Sequence, residues 1–242
     1  MSFFPLTCVD DFFNNPDEIR EFALGLDYEI TPGNYPGKRS VELSEKHPHY
    51  MDAFAKKIFS LFYDYDKTEI AWNITSQFQK IDPFSRNPKS LLNKGSIHRD
   101  GESGEKNSPF LVGVIYLTPD PYPESGTSFY EKEDHIKNYS DHRGSNFKFL
   151  DTKSHLYRNQ YNNPRRYHRD FIQGIKENHK KYQKVVEIKN VYNRMVLYDG
   201  KFPHGQTNLY VGKNKTRLTQ VFFIRKLDCE NTPLTRCNNV IL

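Results

Sequence analysis

The spacing of apolar residues in this chain changes near Thr68 from a helical to a strand-like period. Beyond that point Ile70, Trp72 and Ile74 alternate with polar or small residues, and Phe110–Thr118 is a nearly continuous apolar run typical of a central strand. Clusters of Pro, Gly, Asn and Asp separate the other strand-like segments, which are Ser90–His98, Thr127–Tyr130, Asn193–Tyr198 and Thr216–Arg225. Many short strands without βαβ alternation predict a mainly β, antiparallel sandwich or barrel rather than a Rossmann-type sheet.

The first quarter of the chain predicts a strand and two supporting helices. Phe3–Phe13 has the character of a strand, and Thr31–Ser44 that of an irregular loop. Asn15 can cap a helix that starts at the following proline, with Glu18 placed to complete a capping box. A second helix is expected to begin at Pro48. The predicted apolar faces are Ile19, Phe22, Ala23 and Leu26 in the first helix, and Met51, Phe54, Ala55, Ile58, Leu61 and Phe62 in the second.

The length of 242 residues suits a single domain. We divide it into an N-terminal strand with support helices (1–67), a β core (68–130 and 191–226), a polar insert with a helix around Pro164–Lys181 (131–190) and a tail (227–242). No apolar run reaches eighteen residues and Met1–Phe13 lacks a signal-peptide pattern, so we expect neither a membrane span nor export. Cys8, Cys229 and Cys237 lack CxxC spacing, which favours free thiols in a reducing, cytoplasmic compartment.

The segment Ser96–Gly101 contains an H-x-D motif formed by His98 and Asp100. On a strand, residues two apart point to the same face, so both side chains can reach one ion. One imidazole and one carboxylate are two thirds of the facial triad that holds non-haem Fe(II). By itself the motif is weak, because about half an H-x-D is expected by chance with nine histidines.

A second H-x-D motif, His168-Arg169-Asp170, lies in the helical part of the insert. Residues two apart on a helix diverge by about 200°, and the neighbouring arginines oppose a dication, so we interpret this motif as part of a solvated basic helix. The sequence H-R-D also occurs in kinase catalytic loops. Here the required Asn is replaced by Glu105 or Ile175, and no glycine-rich loop precedes either motif, which excludes a kinase.

A third ligand has to come from a distant strand, and His204 is the candidate. It follows a strand and the turn Asp199–Pro203, which predicts a position at the mouth of a sheet. Thirteen residues later Arg217 opens an apolar strand. Arginines in that position are often solvated, but a fixed guanidinium fork is also what the carboxylate of an anionic ligand requires.

In this order, the motifs resemble the Fe(II)/2-oxoglutarate-dependent oxygenases, and among them the prolyl 4-hydroxylase-like branch. Val114–Thr118 (VIYLT) followed by Glu124–Phe129 (ESGTSF) is similar to the "YLN … GG-x-T-x-F" stretch of that branch, and Asn193–Gly205 to its second-histidine segment. Two residues depart from the pattern: Thr118 stands where Asn is usual, and Ser125 replaces a glycine.

The resemblance implies a double-stranded β-helix (jelly-roll) core with N-terminal helices and a helical insert. His98, Asp100 and His204 would bind Fe(II), and Arg217 the distal carboxylate of 2-oxoglutarate. Two further residues match positions that assist at that carboxylate, namely Tyr116 and Thr219. The implied reaction uses O2 and 2-oxoglutarate to hydroxylate a C–H bond, releasing succinate and CO2. Within the superfamily, a carboxylate at the Asp100 position favours hydroxylation over halogenation.

The net charge of +5 is concentrated in the insert. Lys153–Lys189 contains ten basic and three acidic residues, a net charge of +7, which leaves about −2 for the rest of the chain. Aromatic residues are interleaved with these charges, a combination found on nucleic-acid-binding surfaces. The prolyl-hydroxylase resemblance favours a peptidyl or free amino acid as the substrate. An AlkB-like nucleic-acid demethylase is the first alternative, although Gly212–Thr219 contains only one of the two arginines typical of such enzymes. A non-enzymatic sandwich-fold binding or structural module is the second.

Overall fold

The computed structural model describes residues 4–30, 35–100, 110–132 and 164–238. The predicted strand start at Phe3, part of the first predicted loop (31–34), residues 133–163 of the insert and the end of the tail lie outside the described residues. The strands are β1 (Thr7–Val9), β2 (Tyr28–Glu29), β3 (Lys38–Ser40), β4 (Ala71–Ile81), β5 (Leu111–Tyr116), β6 (Thr127–Lys132), β7 (Tyr182–Ile188), β8 (Met195–Asp199), β9 (His204–Gln206) and β10 (Arg217–Asp228). The α-helices are α1 (Pro16–Leu24), α2 (Leu43–Lys46), α3 (Pro48–Phe59) and α4 (Pro164–His179).

The strands form two antiparallel sheets. The major sheet has the order β1-β8-β5-β10-β4-β3-β2, and the minor sheet has the order β7-β6-β9. The longest strands, β4 and β10, pair along their full length near the middle of the major sheet. The mainly β jelly-roll core with N-terminal helices is thus the predicted architecture.

Alternate residues of the major sheet enter two different cores. On β10, Leu218, Phe222 and Ile224 belong to the helix-side core, which the sheet forms with α1 and α3. The helices contribute Ala23, Met51, Phe54, Ala55, Ile58 and Phe59 to it. The opposite face packs against the minor sheet through a smaller inter-sheet core, which comprises Val112, Val114, Tyr116, Phe129, Ile188, Val196 and Tyr198. The period of two that predicted these strands therefore also divides them between the two faces.

The N-terminal helices lie where the sequence predicts them, but their details differ. The helix α1 starts at Pro16 and α3 at Pro48, as predicted. The predicted capping box is wrong, because the side chain of Asn15 makes no capping hydrogen bond. The predicted first strand is too long, since Asp11 has a φ of 51°, a left-handed conformation that ends the extended segment.

Several elements were not predicted or were predicted wrongly. Ser90–His98 is not a strand: it contains a 3-10 helix, Leu91–Asn93, whose first turn is capped by the Ser90 side chain. The predicted loop Thr31–Ser44 contains β3 and the start of α2. The strand β7 lies within the range assigned to the insert and pairs with β6. Its four central residues Gln183–Val186 are all exposed, so it lacks the alternation that identifies a strand.

The predicted insert helix is present as α4. Its buried residues Phe171 and Ile175 pack against Leu92. Within the described ranges, no helix combines the length and the apolar composition that a membrane crossing requires.

Candidate metal centre and cavity

The three predicted metal ligands are brought together in the structure. His98 and Asp100 lie in an irregular segment, whereas His204 begins β9. Two backbone hydrogen bonds of 2.9 Å join His98 and His204, with each N–H donating to the carbonyl of the other residue. The Asp100 N–H donates to the carbonyl of Gly200, also at 2.9 Å. These bonds hold the H-x-D segment beside the turn that precedes β9.

The close approach of the two segments requires a glycine after His204. A Cβ atom added to Gly205 would lie 2.7 Å from the backbone oxygen of Ser96, closer than such atoms approach in proteins. A larger residue here would push β9 away from the segment that contains His98, so Gly205 helps to set the spacing of the ligands.

Asp100 lies near both imidazole rings. Its Oδ2 is 3.1 Å from Nε2 of His204, and its Oδ1 is 3.6 Å from Nε2 of His98. The centroids of the two rings are 4.5 Å apart. One ligand atom from each of the three residues lies within 4.8 Å of the others, and no other group of three His, Cys, Asp or Glu side chains among the described residues has such spacing.

The orientation of each imidazole is fixed by a carbonyl two residues earlier in the chain. Nδ1 of His98 is 2.9 Å from the oxygen of Ser96, and Nδ1 of His204 is 2.8 Å from the oxygen of Phe202. Because a carbonyl only accepts hydrogen bonds, Nδ1 of each ring carries a proton. Nε2 is then the nitrogen that faces Asp100, and it is the atom that can bind a metal once it has given up any proton of its own.

The electrostatics favour an ionised Asp100. Burial raises the pKa of this carboxyl group, but the charge and hydrogen bond of His204, with the charges of His98 and Arg39, lower its pKa to about 2. The carboxylate is therefore ionised at neutral pH, the state in which it binds a cation.

The end of α4 supports the H-x-D segment from outside. The buried Asn178 side chain accepts a hydrogen bond from the Ile97 N–H at 2.7 Å and donates one to the Ile97 carbonyl at 3.0 Å. The next residue, His179, has Nε2 2.9 Å from the oxygen of Gly95. Neither residue was predicted as part of the site, since they lie about eighty residues from their partners and match no local motif.

Arg217 is one of the most deeply buried charged residues described. It is 2% exposed, and within the described part of the chain it has no carboxylate partner. Nη1 donates a long hydrogen bond of 3.4 Å to Thr219 Oγ1, and the guanidinium carbon lies 5.5 Å from the ring centroid of Tyr116. Nε is buried without any hydrogen-bond partner. Burial lowers the pKa of this guanidinium, while Tyr116 and Tyr198 partly offset the effect.

The two other predicted site residues lie beside Arg217. Thr219 and Tyr116 are directly opposite each other on β10 and β5, and both are fully buried. The Tyr116 hydroxyl group is 2.7 Å from Thr127 Oγ1. Burial raises the pKa of Tyr116, so its phenol remains protonated at neutral pH.

A single cavity joins the metal ligands and the buried guanidinium. His98, Asp100, His204 and Arg217 all line it. A second guanidinium, that of Arg39, lines the same cavity and was not predicted from the sequence. Tyr116 and Thr219 do not line the cavity themselves but contact residues that do: both adjoin Arg217, and Tyr116 is also hydrogen-bonded to Thr127.

The second H-x-D motif lies on α4, as expected. Residues 168 and 170 are thus two apart on a helix and diverge around its axis. Arg169, between them, is exposed to solvent.

Comparisons with known proteins agree with this architecture. The family described as "Family of unknown function (DUF6445)" matches residues 3–224, and no curated protein matches the sequence. HygX from Streptomyces hygroscopicus, with nickel, 2-oxoglutarate and hygromycin B bound, has a TM-score of 0.52 at 11% identity over 91% of this chain and 82% of HygX. Its iron-bound structure has a TM-score of 0.50 at 12% identity over 91% and 81% of the chains.

A third similar structure is a prolyl hydroxylase from Trichoplax adhaerens in complex with a hypoxia inducible factor peptide fragment. Its TM-score is 0.46 at 10% identity, over 91% of this chain and 83% of that chain. HygX carries the stronger comparison, and it shows that the fold is shared with a protein that binds iron and 2-oxoglutarate. The predicted resemblance to the Fe(II)/2-oxoglutarate oxygenases is therefore confirmed at the level of the fold.

Proposed function

The chain belongs to the family of unknown function DUF6445, and we propose that it is an Fe(II)- and 2-oxoglutarate-dependent dioxygenase that hydroxylates a C–H bond. One observation carries the proposal: a cavity lined both by two histidines with one carboxylate and by a buried guanidinium that has no anionic partner among the described residues. The first group suits a dication, and the second suits a carboxylate.

His98, Asp100 and His204 would hold the iron. Two neutral imidazoles and one carboxylate on one side of an ion form the ligand set of non-haem Fe(II) oxygenases. The carbonyls behind both rings keep Nε2 available as the ligand atom, and the low pKa of Asp100 keeps its carboxylate charged. These residues therefore fit Fe(II), which would replace the contact between His204 Nε2 and Asp100 while both Nδ1 contacts remain.

Arg217 would bind the distal carboxylate of 2-oxoglutarate. A buried, unpaired guanidinium is costly, and an anionic ligand that reaches its Nε offsets that cost. Thr219 would orient the guanidinium through Nη1, and Tyr116 would assist at the same carboxylate from the adjacent strand. Their burial also excludes water from the bound anion.

Bound Fe(II) and O2 would supply the oxidising chemistry, in which 2-oxoglutarate is converted to succinate and CO2 while one oxygen atom enters the substrate C–H bond. The chain contributes a charged carboxylate, two oriented imidazoles and a preorganised cation for the co-substrate. We propose a peptidyl or free amino acid as the substrate. Small-molecule use of this fold has a precedent in HygX, whose structure contains hygromycin B.

The two alternatives have less support. A non-enzymatic sandwich-fold module provides no reason for a buried guanidinium that faces a cavity. An AlkB-like demethylase would rely on the basic insert, but among its described residues Lys184 and Lys189 both form ion pairs with Glu187.

A cytoplasmic location is also part of the proposal, because Cys8, Cys229 and Cys237 are free thiols.

The proposal is tested by succinate formation from 2-oxoglutarate with and without Fe(II). We expect Fe(II)-dependent turnover in the wild type and none in His98→Ala, because the substitution removes one of three metal ligands. His168→Ala, which alters the second H-x-D motif, is the matched control and should retain turnover. Mn(II) binding, measured by electron paramagnetic resonance, should likewise be lost in His98→Ala and retained in His168→Ala. Full turnover by His98→Ala in metal-controlled buffer would refute the assignment.

A further inference from the structure

Arg39 occupies the same face of the major sheet as the proposed 2-oxoglutarate site. It lies directly opposite Gln79 on β4, and Gln79 lies opposite Thr219 on β10. Residues directly opposite each other in a sheet project to the same side. Arg39 consequently belongs to the cavity face, and it lines the cavity together with His98 and Asp100.

The guanidinium of Arg39 is held in place but not neutralised. Its carbon atom lies 3.6 Å from the ring centroid of Tyr35 and 5.8 Å from that of Phe223. Nη1 donates to Gln77 Oε1 at 3.3 Å, while Nε is buried and has no hydrogen-bond partner. Stacking satisfies the face of a guanidinium, but not the N–H groups on its edge.

The carboxylates that influence Arg39 electrostatically have other partners. Burial lowers the pKa of Arg39, and Tyr35, Asp100 and Glu42 act in the opposite direction. Glu42 accepts hydrogen bonds from the backbone of Ser76 and from Ser44, and Asp100 is bonded to His204. Within the described ranges, no carboxylate lies within ion-pair distance of Arg39.

Arg39 repeats the arrangement of Arg217. In each residue Nη1 donates to a neutral side-chain oxygen, and Nε is buried without a partner. The Nε–H and one Nη2–H of arginine lie on the same edge, where they bind the two oxygens of a carboxylate. Both guanidinium groups therefore belong to residues that line the cavity with the metal ligands, and both keep an Nε–H without a partner among the described residues.

We propose that Arg39 binds a carboxylate of the substrate that is hydroxylated, so that the substrate is an organic acid such as a free amino acid or an acidic peptidyl side chain. This inference rests on the proposed function, which assigns the deeper guanidinium, Arg217, to 2-oxoglutarate. Arg39 is only partly buried and lies near Tyr35, which places it on a more accessible part of the cavity. Because Arg39 lines the same cavity as His98 and Asp100, an acid bound to it would lie near the metal ligands.

The probes for a binding test are acetate and its neutral analogue acetamide. The protein is loaded with Mn(II) and saturated with 2-oxoglutarate, so that Arg217 is occupied, and the relaxation of the probe methyl protons by Mn(II) is measured by NMR. We expect acetate to bind the wild type, and acetamide to bind much more weakly. Arg39→Gln should lower the acetate affinity by about tenfold or more, because a charge-assisted bidentate contact is lost.

Two other variants provide controls. Lys38→Gln removes an exposed positive charge from the adjacent residue of β3, and acetate binding should persist. Arg217→Gln should weaken the binding of 2-oxoglutarate, which is measured separately by calorimetry. If 2-oxoglutarate binds in an Arg217-dependent manner but acetate binds equally to wild type and Arg39→Gln, only the present inference is overturned. If 2-oxoglutarate does not bind at all, the proposed function fails and this inference fails with it.

A substrate screen gives an independent result. Free L-amino acids, short peptides containing Asp or Glu, and the corresponding amides are incubated with Fe(II), 2-oxoglutarate and O2, and a gain of one oxygen is detected by mass spectrometry. We expect acids to be hydroxylated in preference to their amides, with KM raised about tenfold or more in Arg39→Gln. Free amino acids and acidic peptides distinguish the two sources of the carboxylate. Hydroxylation of a neutral substrate with unchanged KM in Arg39→Gln would contradict the inference.

Discussion

The two faces of the major sheet have opposite chemical character although they are built from the same strands. On the helix side of β10, Phe222 packs edge-to-face against Phe54 of α3, with ring centroids 5.1 Å apart. On the cavity side, Arg217 is buried without an anionic partner among the described residues, and Phe223 lines a space that also contains the candidate metal ligands. Adjacent residues of one strand thus face an apolar core on one side and the proposed binding cavity on the other.

This contrast indicates how the fold tolerates a site that lowers the stability of the folded state. A buried, unpaired cation destabilises the folded state, and the large apolar core on the opposite face offsets that cost. The ring of Phe222 lies so close to Gly113 of β5 that a Cβ atom there would be 2.0 Å from it. The side of the sheet that contributes none of the candidate site side chains is therefore closely packed at this point.

The largest expected effect separates the two neighbouring phenylalanines of β10. Phe222→Ala should lower the free energy of unfolding by about 3–5 kcal/mol, because it leaves a cavity in the fully buried helix-side core. Phe223→Ala, on the cavity side, should cost less because its side chain is only partly buried. Urea denaturation of both variants measures the difference. Equal losses would show that Phe223 contributes as much to the free energy of unfolding as Phe222, which would contradict the proposed difference between the two faces.

An intermediate effect, of opposite sign, is expected for Arg217→Met without metal or 2-oxoglutarate. Removing a buried cation that has no anionic partner should raise the free energy of unfolding by about 1–3 kcal/mol. The same variant should lose the thermal stabilisation that Mn(II) with 2-oxoglutarate gives to the wild type. Arg225→Met, an exposed position on the same strand, is the control and should change neither property. A destabilised Arg217→Met protein would mean that the guanidinium is structural.

The difference between the faces also explains what could be predicted from the sequence. The strands β4, β5, β8 and β10 contain alternating or continuous apolar residues, and these patterns identified them. The strands β2, β3 and β9 have only two or three residues each, too few for a period to be detected. The β7 strand exposes most of its residues and carries no such pattern.

The candidate site was predictable where its residues belong to local motifs. His98 and Asp100 are two residues apart, and His204 and Arg217 flank recognisable strands. Arg39 could not be found in this way, because only the pairing of β3 with β4, about forty residues away, brings it to the cavity face. Sequence spacing alone contains no information about that pairing.

Asn178, on the outer side of the site, is a second residue that local sequence motifs could not identify. Its side chain binds the backbone of Ile97, and neither residue belongs to a motif that would indicate the other. The helix α4 was predicted as a basic surface element, but its C-terminal end supports the H-x-D segment through polar contacts. The helix side of the sheet depends on apolar packing, whereas this support depends on hydrogen bonds, one of them from a titratable residue.

The smallest expected effect is a pH dependence that follows from this polar support. Burial lowers the pKa of His179 below its ordinary value of 6.5, the hydrogen bond to Gly95 partly opposes this, and Lys94 lowers the pKa further. The neutral ring is therefore favoured by folding, and its stabilising contribution is complete above about pH 6.5 and lost as the pH falls through the lower folded-state value. Metal-free wild type should lose more stability in that window than His179→Gln, as measured by urea denaturation across pH. His49→Gln, at an exposed position on α3, should retain the wild-type profile, and an unchanged profile in His179→Gln would locate the pH sensitivity elsewhere.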